Sequence, residues 1–363
     1  VHLGQDPLGK PVTWDTAANP GFGILVTGDT GFGKTQTLRV VIAEVRAAGL
    51  PALIFDYKPD YIDAAFVEAH GFSVYDVKRR GLPFNPLALM PDKNGEVYPY
   101  DQIYELAEIF RRVLQLGEQQ ENRIVEAQAA AYRACGWDPQ AYSRFDKARK
   151  FPTFADVMHE LESMKKDTVA KTTFTRLKKF LDMKLFPSKV SDTTFDDLMG
   201  QSVVLAMNEL PMELANTLSE VLIVKLHGTL RRGAQPRKLQ RLLVFDEAWR
   251  VKGSSKLTEL AREGRAFGVG LAIGTQNPKD LPQELVSCLR AQLFLCNKDP
   301  DNQKAIARAV CGQASGREAQ RIIDQVKGLA KFQGLIISEQ YKDGRRVNVV
   351  PYSDRAYSAA SGG

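Results

Sequence analysis

The 363-residue sequence predicts an α/β fold, a mostly parallel sheet flanked by helices and interrupted by an all-helical insertion. Three observations predict it. Short apolar runs of strand length alternate with stretches whose apolar residues recur at helical spacing. A glycine-rich segment, Gly28-Asp29-Thr30-Gly31-Phe32-Gly33-Lys34-Thr35, joins the first buried run to the first helix. Between about residue 100 and residue 190 the strand signals stop and only helical periodicity remains.

Residues 1–20 read as a short lead-in with turn signals at Gly9-Lys10-Pro11 and Asn19-Pro20. Ile24 to Thr27 is a buried strand. From Thr35 to Ala48, Leu38, Val41, Ile42 and Val45 mark a helix face, and Gly49 stops it. Ala52 to Phe55 forms the second strand and ends at Asp56, and Ser73 to Val77 forms a short third. Helical stretches then follow at 102–116, 119–135, 154–165 and 170–182. Strands resume at Val203 to Met207, Leu242 to Phe245, Val269 to Gly274 and Gln292 to Cys296, with helices at 213–231 and 255–266 between them. Gly334 to Glu339 and Val347 to Val350 read as an antiparallel pair around Lys342-Asp343-Gly344. The expected organisation is a core of residues 1–100 and 190–355, a helical insertion at 101–189 and a flexible tail at 356–363.

Composition narrows the class. The sequence is 44% hydrophobic and 25% charged, enough for a sizeable core without staples. Its longest apolar runs are strand-sized and fall short of the ~18–20 residues of a membrane span. No signal peptide is visible, although the start at Val1 and the Ser361-Gly362-Gly363 end suggest a region excised from a longer chain. Cys135, Cys288, Cys296 and Cys311 lack metal-ligand spacing and read as reduced thiols of a cytoplasmic protein. The four histidines are scattered, so no metal cage is expected. The net charge of +6 is compatible with a polyanionic partner. Basic residues gather at Lys78-Arg79-Arg80, from Lys165 to Lys184, and at Arg231, Arg232, Arg237, Lys238 and Arg241.

Two segments carry the chemistry. Gly28 to Thr35 fits G-x-x-x-x-G-K-[ST] after a strand and before a helix, the context of a phosphate-binding loop. Gly31 and Gly33 let successive backbone N–H groups turn inward toward phosphate oxygens. The helix N-terminus adds partial positive charge, Lys34 reaches the β- and γ-phosphates, and the Thr35 hydroxyl is a ligand for Mg²⁺. Gln36, next along the helix, completes the expected nucleotide-contacting stretch. Leu242 to Glu247 is the second segment. Four apolar residues deliver Asp246 beside the loop to order the metal, and Glu247 follows in place to act as general base on water. The adjacent Asp and Glu argue for hydrolysis of ATP on a RecA-like P-loop core of the additional-strand type. Thr275-Gln276 ends the next strand, where Gln276 can sense the γ-phosphate. Asn297-Lys298-Asp299 resembles a guanine-selecting motif, but Pro300 occupies its fourth position and the reading fails.

The ordered series of the phosphate loop, Phe55-Asp56-Tyr57-Lys58-Pro59-Asp60-Tyr61, Phe84-Asn85-Pro86-Leu87, Phe245-Asp246-Glu247-Ala248-Trp249, Arg262-Glu263-Gly264-Arg265-Ala266-Phe267-Gly268 and Thr275-Gln276 resembles the HerA/FtsK class of motor ATPases. That class includes conjugation and type IV secretion ATPases. The resemblance covers about residues 3–350, and the opening and the insertion look closest to the DndH/DptH type of phosphorothioation-linked antiviral defence. Phe32 stands where relatives commonly have Ser. The resemblance implies a ring, usually a hexamer, with ATP between subunits, DNA in the pore, and an arginine completing the neighbour's site. Arg262 and Arg265 match that segment. Lys78, Arg79 and Arg80, in a loop expected after a central strand, are the candidate DNA contacts. Two other readings stay open: a secretion or conjugation ATPase moving protein or protein–DNA substrates, and a nucleotide-gated scaffold.

Overall fold

The alternation of apolar strands and amphipathic helices builds one eleven-stranded sheet in the computed structural model, which describes residues 1–357 except 17, 20, 147, 165, 187–193, 234 and 237. The strands are β1 His2–Gln5, β2 Pro11–Thr13, β3 Gly23–Thr27, β4 Ala52–Asp56, β5 Ser73–Asp76 and the two-residue β6 Glu96–Val97 and β7 Ser143–Arg144. They continue with β8 Val203–Ala206, β9 Arg241–Phe245, β10 Val269–Thr275, β11 Ala291–Leu295, β12 Gln333–Ser338 and β13 Tyr341–Val349. The order in the sheet is β2-β1-β13-β12-β11-β3-β10-β9-β4-β8-β5, while β6 and β7 pair separately. The pairs β11–β3, β3–β10, β10–β9 and β9–β4 are parallel, and those from β11 through β12, β13 and β1 to β2 are antiparallel. Strands β3, β4 and β10 are buried at every residue, as expected where both faces of a parallel sheet are covered. This is a RecA-like P-loop fold of the additional-strand type, since β10 lies between the strand that enters the phosphate loop and the strand that carries Asp246.

The chain divides into two compact units. One takes residues 1–74, 200–205 and 234 onward; the other takes 75–199 and 206–233. Within the second, helices Pro99–Leu114, Phe154–Ser163 and Thr168–Asp182 pack through Phe110, Phe154, Phe180 and Phe186, with helix Glu118–Ala134 against all three. Its longest helix, Met212–Arg232, is apolar on most sides and correspondingly buried. There Glu220, 2% exposed, is held by both terminal nitrogens of Arg112 at 2.8 and 3.3 Å.

Three local expectations need correction. The lead-in carries more than turns: β1 and β2 pair with each other, and β1 joins the pair to the sheet edge through β13. The antiparallel pair turns at Glu339-Gln340, where Ser338 faces Tyr341, so Lys342-Asp343-Gly344 lie inside β13. Lys78-Arg79-Arg80 do not follow a central strand. They form a single helical turn, Val77–Arg80, after β5 at the end of the strand order. Helices Pro300–Cys311 and Arg317–Lys327 were not expected; Ile306, Ala307, Ala319, Ile322 and Val326 pack there with Phe294 and Leu335. Pro20, Lys165, Arg237 and residues 358–363 of the expected tail lie outside the described residues.

Candidate functional site

Parallel strands release their loops at one end of the sheet, and the order β3-β10-β9-β4 sets four such loops side by side. The phosphate loop follows β3, Gln276 follows β10, Asp246-Glu247 follow β9, and Asp56 ends β4.

The loop has the backbone that its glycines were expected to provide. Gly31 has φ 88° and Gly33 φ 105°. At Gly33 a Cβ would also meet the Phe332 ring at 2.4 Å, so glycine is required twice over. Phe332, itself at φ 64°, donates its N–H to the Phe32 carbonyl at 3.2 Å and so ties the loop to the start of β12. Asp29 anchors the other flank, accepting from the Lys298 N–H at 2.9 Å while its own N–H donates to the Cys296 carbonyl. Thr30 and Gly31 are exposed at the loop's tip, while Gly28 is packed against Leu295. Helix α1, Lys34–Ala47, starts directly from the loop.

The side chains expected to work together do converge. Thr35 Oγ1 donates to Asp246 Oδ2 at 3.1 Å. Lys34 Nζ lies 3.6 Å from Asp246 Oδ1 and 3.3 Å from Glu247 Oε1, and all three residues are buried. Glu247 takes the left-handed conformation, φ 66° and ψ 44°, which turns its side chain at the strand end. Gln276 is half-buried; its carbonyl accepts from Asn297 Nδ2 at 3.0 Å. The buried Asn297 thus braces the end of β10, and Asp299 caps helix Pro300–Cys311 by accepting from the Asn302 N–H at 2.8 Å. Both are structural uses, in keeping with the failed guanine motif. Gln36 points to the C-terminal segment, its Oε1 accepting from the Ser353 N–H at 3.2 Å.

The expected cationic residues stand elsewhere. Arg262 is exposed and lies 3.5 Å from Glu284. Arg265 donates to the Asn19 carbonyl at 3.1 Å and faces the Phe22 ring. Asn19 and Phe22 precede β3 whereas the phosphate loop follows it, so Arg265 sits at the opposite end of that strand from its own loop. Lys78 pairs with Glu209 at 3.0 Å, Arg79 with Asp76 at 3.2 Å, and Arg80 lies over the Tyr75 ring.

The segment after β4 carries contacts that no single residue of the sequence announced. Asp56 accepts from the backbone N–H groups of Lys58, Asp60 and Tyr61, which curls residues 56–61 into a tight loop. Burial pushes the Asp56 carboxyl up to about 7, against those three hydrogen bonds. From this loop Tyr61 donates its hydroxyl to Asp246 Oδ2 at 3.1 Å, and Lys58 Nζ reaches Glu247 Oε1 at 2.7 Å. Trp249 donates its indole N–H to Glu247 Oε2 at 2.7 Å. Burial raises the Glu247 carboxyl, but the Lys58 hydrogen bond, the Lys34 charge and the Trp249 hydrogen bond outweigh it and bring it down to about 2. The signal available in the sequence was an aspartate at a strand end followed closely by Lys and Tyr.

Gly274 makes the room that Asp246 occupies. A Cβ there would meet Asp246 Oδ1 at 2.5 Å and Leu38 at 2.8 Å. Gly274→Ala is expected to displace the carboxylate and to destabilise the fold by about 1–3 kcal/mol, the usual range for overpacking. Denaturant unfolding and a nucleotide-binding assay measure the two effects.

Known proteins share this family and fold. The family model described as Helicase HerA, central domain, matches residues 22–226. The DNA double-strand break repair helicase HerA of Sulfolobus acidocaldarius is 24% identical over 341 residues, covering 88% of this chain and 63% of that protein. HerA of Saccharolobus solfataricus is 22% identical over 340 residues, covering 88% and 62%. The chain therefore spans less than two thirds of these relatives. Among solved structures, VirB4 of Thermoanaerobacter pseudethanolicus superposes with a TM-score of 0.73 at 17% identity, covering 96% of each chain. The plasmid coupling protein TrwB, in complex with ADP and Mg²⁺, gives 0.66 at 13% identity, covering 99% of this chain and 91% of that one. No helix among the described residues is long and apolar enough to cross a membrane.

Proposed function

The chain belongs to the Helicase HerA central-domain family, and from that premise we propose that it is the motor part of an ATP-driven DNA translocase or helicase. The observation that carries the reading is the convergence of Lys34 and Thr35 from the loop with Asp246 and Glu247 from β9. Residues 28–35 cradle the triphosphate with backbone N–H groups, and Lys34 leaves its carboxylate partners for the β- and γ-phosphates. Thr35 Oγ1 and Asp246 Oδ2, 3.1 Å apart beside that cradle, are oxygen donors of the kind Mg²⁺ takes, and would hold it. Held there, Mg²⁺ would supply neutralisation of the phosphate charge. Glu247 takes the proton of the attacking water, and Gln276, on the intervening strand, senses the γ-phosphate.

In this reading the site is shared between subunits of a homo-oligomeric ring. Arg265 and Arg262, placed off their own loop, are candidates to stabilise charge on a neighbour's γ-phosphate. DNA would be gripped through its phosphates, so binding would be salt-sensitive and nearly independent of sequence. Lys78 and Arg79, already ion-paired within the chain, and Arg80, over the Tyr75 ring, are weaker candidates for that grip than their charge alone suggests. The relatives named for double-strand break repair make a DNA-processing role the first to test; closeness to the phosphorothioation-defence type is a finer proposal.

The deciding experiment is ATP hydrolysis by the purified chain, with and without DNA, at low salt. DNA binding together with stimulated hydrolysis supports the motor. Hydrolysis that DNA neither binds to nor stimulates would favour the secretion-type ATPase instead. Binding of ATP with no turnover under any condition would leave the nucleotide-gated scaffold.

A further inference from the structure

Two ammonium groups converge on a single carboxylate oxygen. Glu247 Oε1 accepts from Lys34 Nζ at 3.3 Å and from Lys58 Nζ at 2.7 Å, while Glu247 Oε2 accepts from Trp249. Both acceptor sites of Oε1 are thus taken by ammonium groups, while Oε2 keeps one beside the Trp249 bond. The pairing is asymmetric in access, for the Glu247 side chain is 8% exposed and that of Lys58 is 49% exposed. The Lys58 backbone is fixed nonetheless: its N–H donates to Asp56 Oδ1 at 3.2 Å, and Asp60 and Tyr61 are held by the same carboxylate. Lys58 is a solvent-accessible arm on a pinned loop.

We propose that Lys58 reads the terminal phosphate of a bound nucleoside triphosphate: it moves from Glu247 to the γ-phosphate when one arrives, releasing Glu247 Oε1. The proposal rests on the P-loop ATPase reading and goes beyond it by assigning a second lysine to the phosphate. Its physical basis is position and charge. In a phosphate loop the Lys34 ammonium lies at the β- and γ-phosphates, and Lys58 shares an acceptor oxygen with it, so the two ammonium groups are neighbours. A terminal phosphate carries more negative charge than a carboxylate and offers more acceptor oxygens, so it competes well for an ammonium. A diphosphate places nothing there, and Lys58 then stays on Glu247. Lys58 would therefore distinguish triphosphate from diphosphate and couple the arrival of the γ-phosphate to the freeing of the base.

Calorimetric titration of the whole chain with Mg·ADP and with a Mg-bound, non-hydrolysable ATP analogue tests this. Lys58→Met should leave the ADP Kd within about twofold and weaken the analogue about tenfold, the size of one charge-assisted contact. Lys58→Arg should recover part of the preference. If Lys58→Met does not fold, Lys58→Gln makes the same comparison. An unchanged ratio of the two affinities, or an equal loss for both nucleotides, would mean that Lys58 only neutralises Glu247 and would overturn the proposal. A wild-type chain that binds neither nucleotide would overturn the ATPase reading, and this proposal with it.

Discussion

Glu247→Gln is expected to bind ATP as well as the wild type or better, and to hydrolyse it about 10²–10⁴-fold more slowly, the range for loss of a positioned general base. The substitution keeps size and removes one negative charge beside the expected triphosphate. It also disturbs the local bonding, because an amide cannot offer acceptors to Lys58 on one side and Trp249 on the other. The left-handed backbone at Glu247 is unaffected, since Gln tolerates it no better and no worse than Glu. Single-turnover hydrolysis measured beside equilibrium binding separates the two effects. Turnover at the wild-type rate would show that another group accepts the proton.

Lys34→Ala is expected to abolish nucleotide binding and, separately, to cost about 3 kcal/mol of stability, as removal of one partner from a buried ion pair does. The Lys34 and Asp246 side chains are only 9% and 7% exposed, so solvent cannot screen the carboxylate left behind. Glu247 suffers less because Lys58 remains on it. Thr35, Tyr61 and the Glu247 N–H continue to donate to Asp246, which keeps the loss within that range. Urea unfolding monitored with and without nucleotide measures both consequences. A Lys34→Ala chain that still gains stability from Mg·ATP would contradict the placement of the phosphates.

The two substitutions act on opposite sides of one contact and differ in what they leave intact. Glu247→Gln preserves a cradle that can fill but does not turn over. Lys34→Ala removes the cation on which filling depends. Together they separate binding from chemistry without assuming any macromolecular partner.

Much of the site is legible along the chain. The loop at 28–35 announces itself because backbone wrapping needs glycines at set positions, and because a strand before it and a helix after it are local patterns. The β9 run ending in Asp246-Glu247 is legible for the same reason: four buried apolar residues followed by two charges are one short word. Helix and strand positions across the sheet follow from periodicity, which depends on each residue's near neighbours. Strand order does not. The insertion of β10 between β3 and β9 is expected only through the chemistry of the Asp246-Glu247 pair; that β4 lies beyond β9 depends on which crossovers pack best, and so only the folded arrangement brings the Asp56–Tyr61 loop onto that pair. The same holds for Arg265, whose helix reads plainly but whose side chain turns to Asn19, some 246 positions away in sequence. Local chemistry named the phosphate loop and its acidic partners; long-range packing placed Lys58 and Tyr61 among them, because contacts between residues 56–61 and 246–247 leave no periodic trace in either segment.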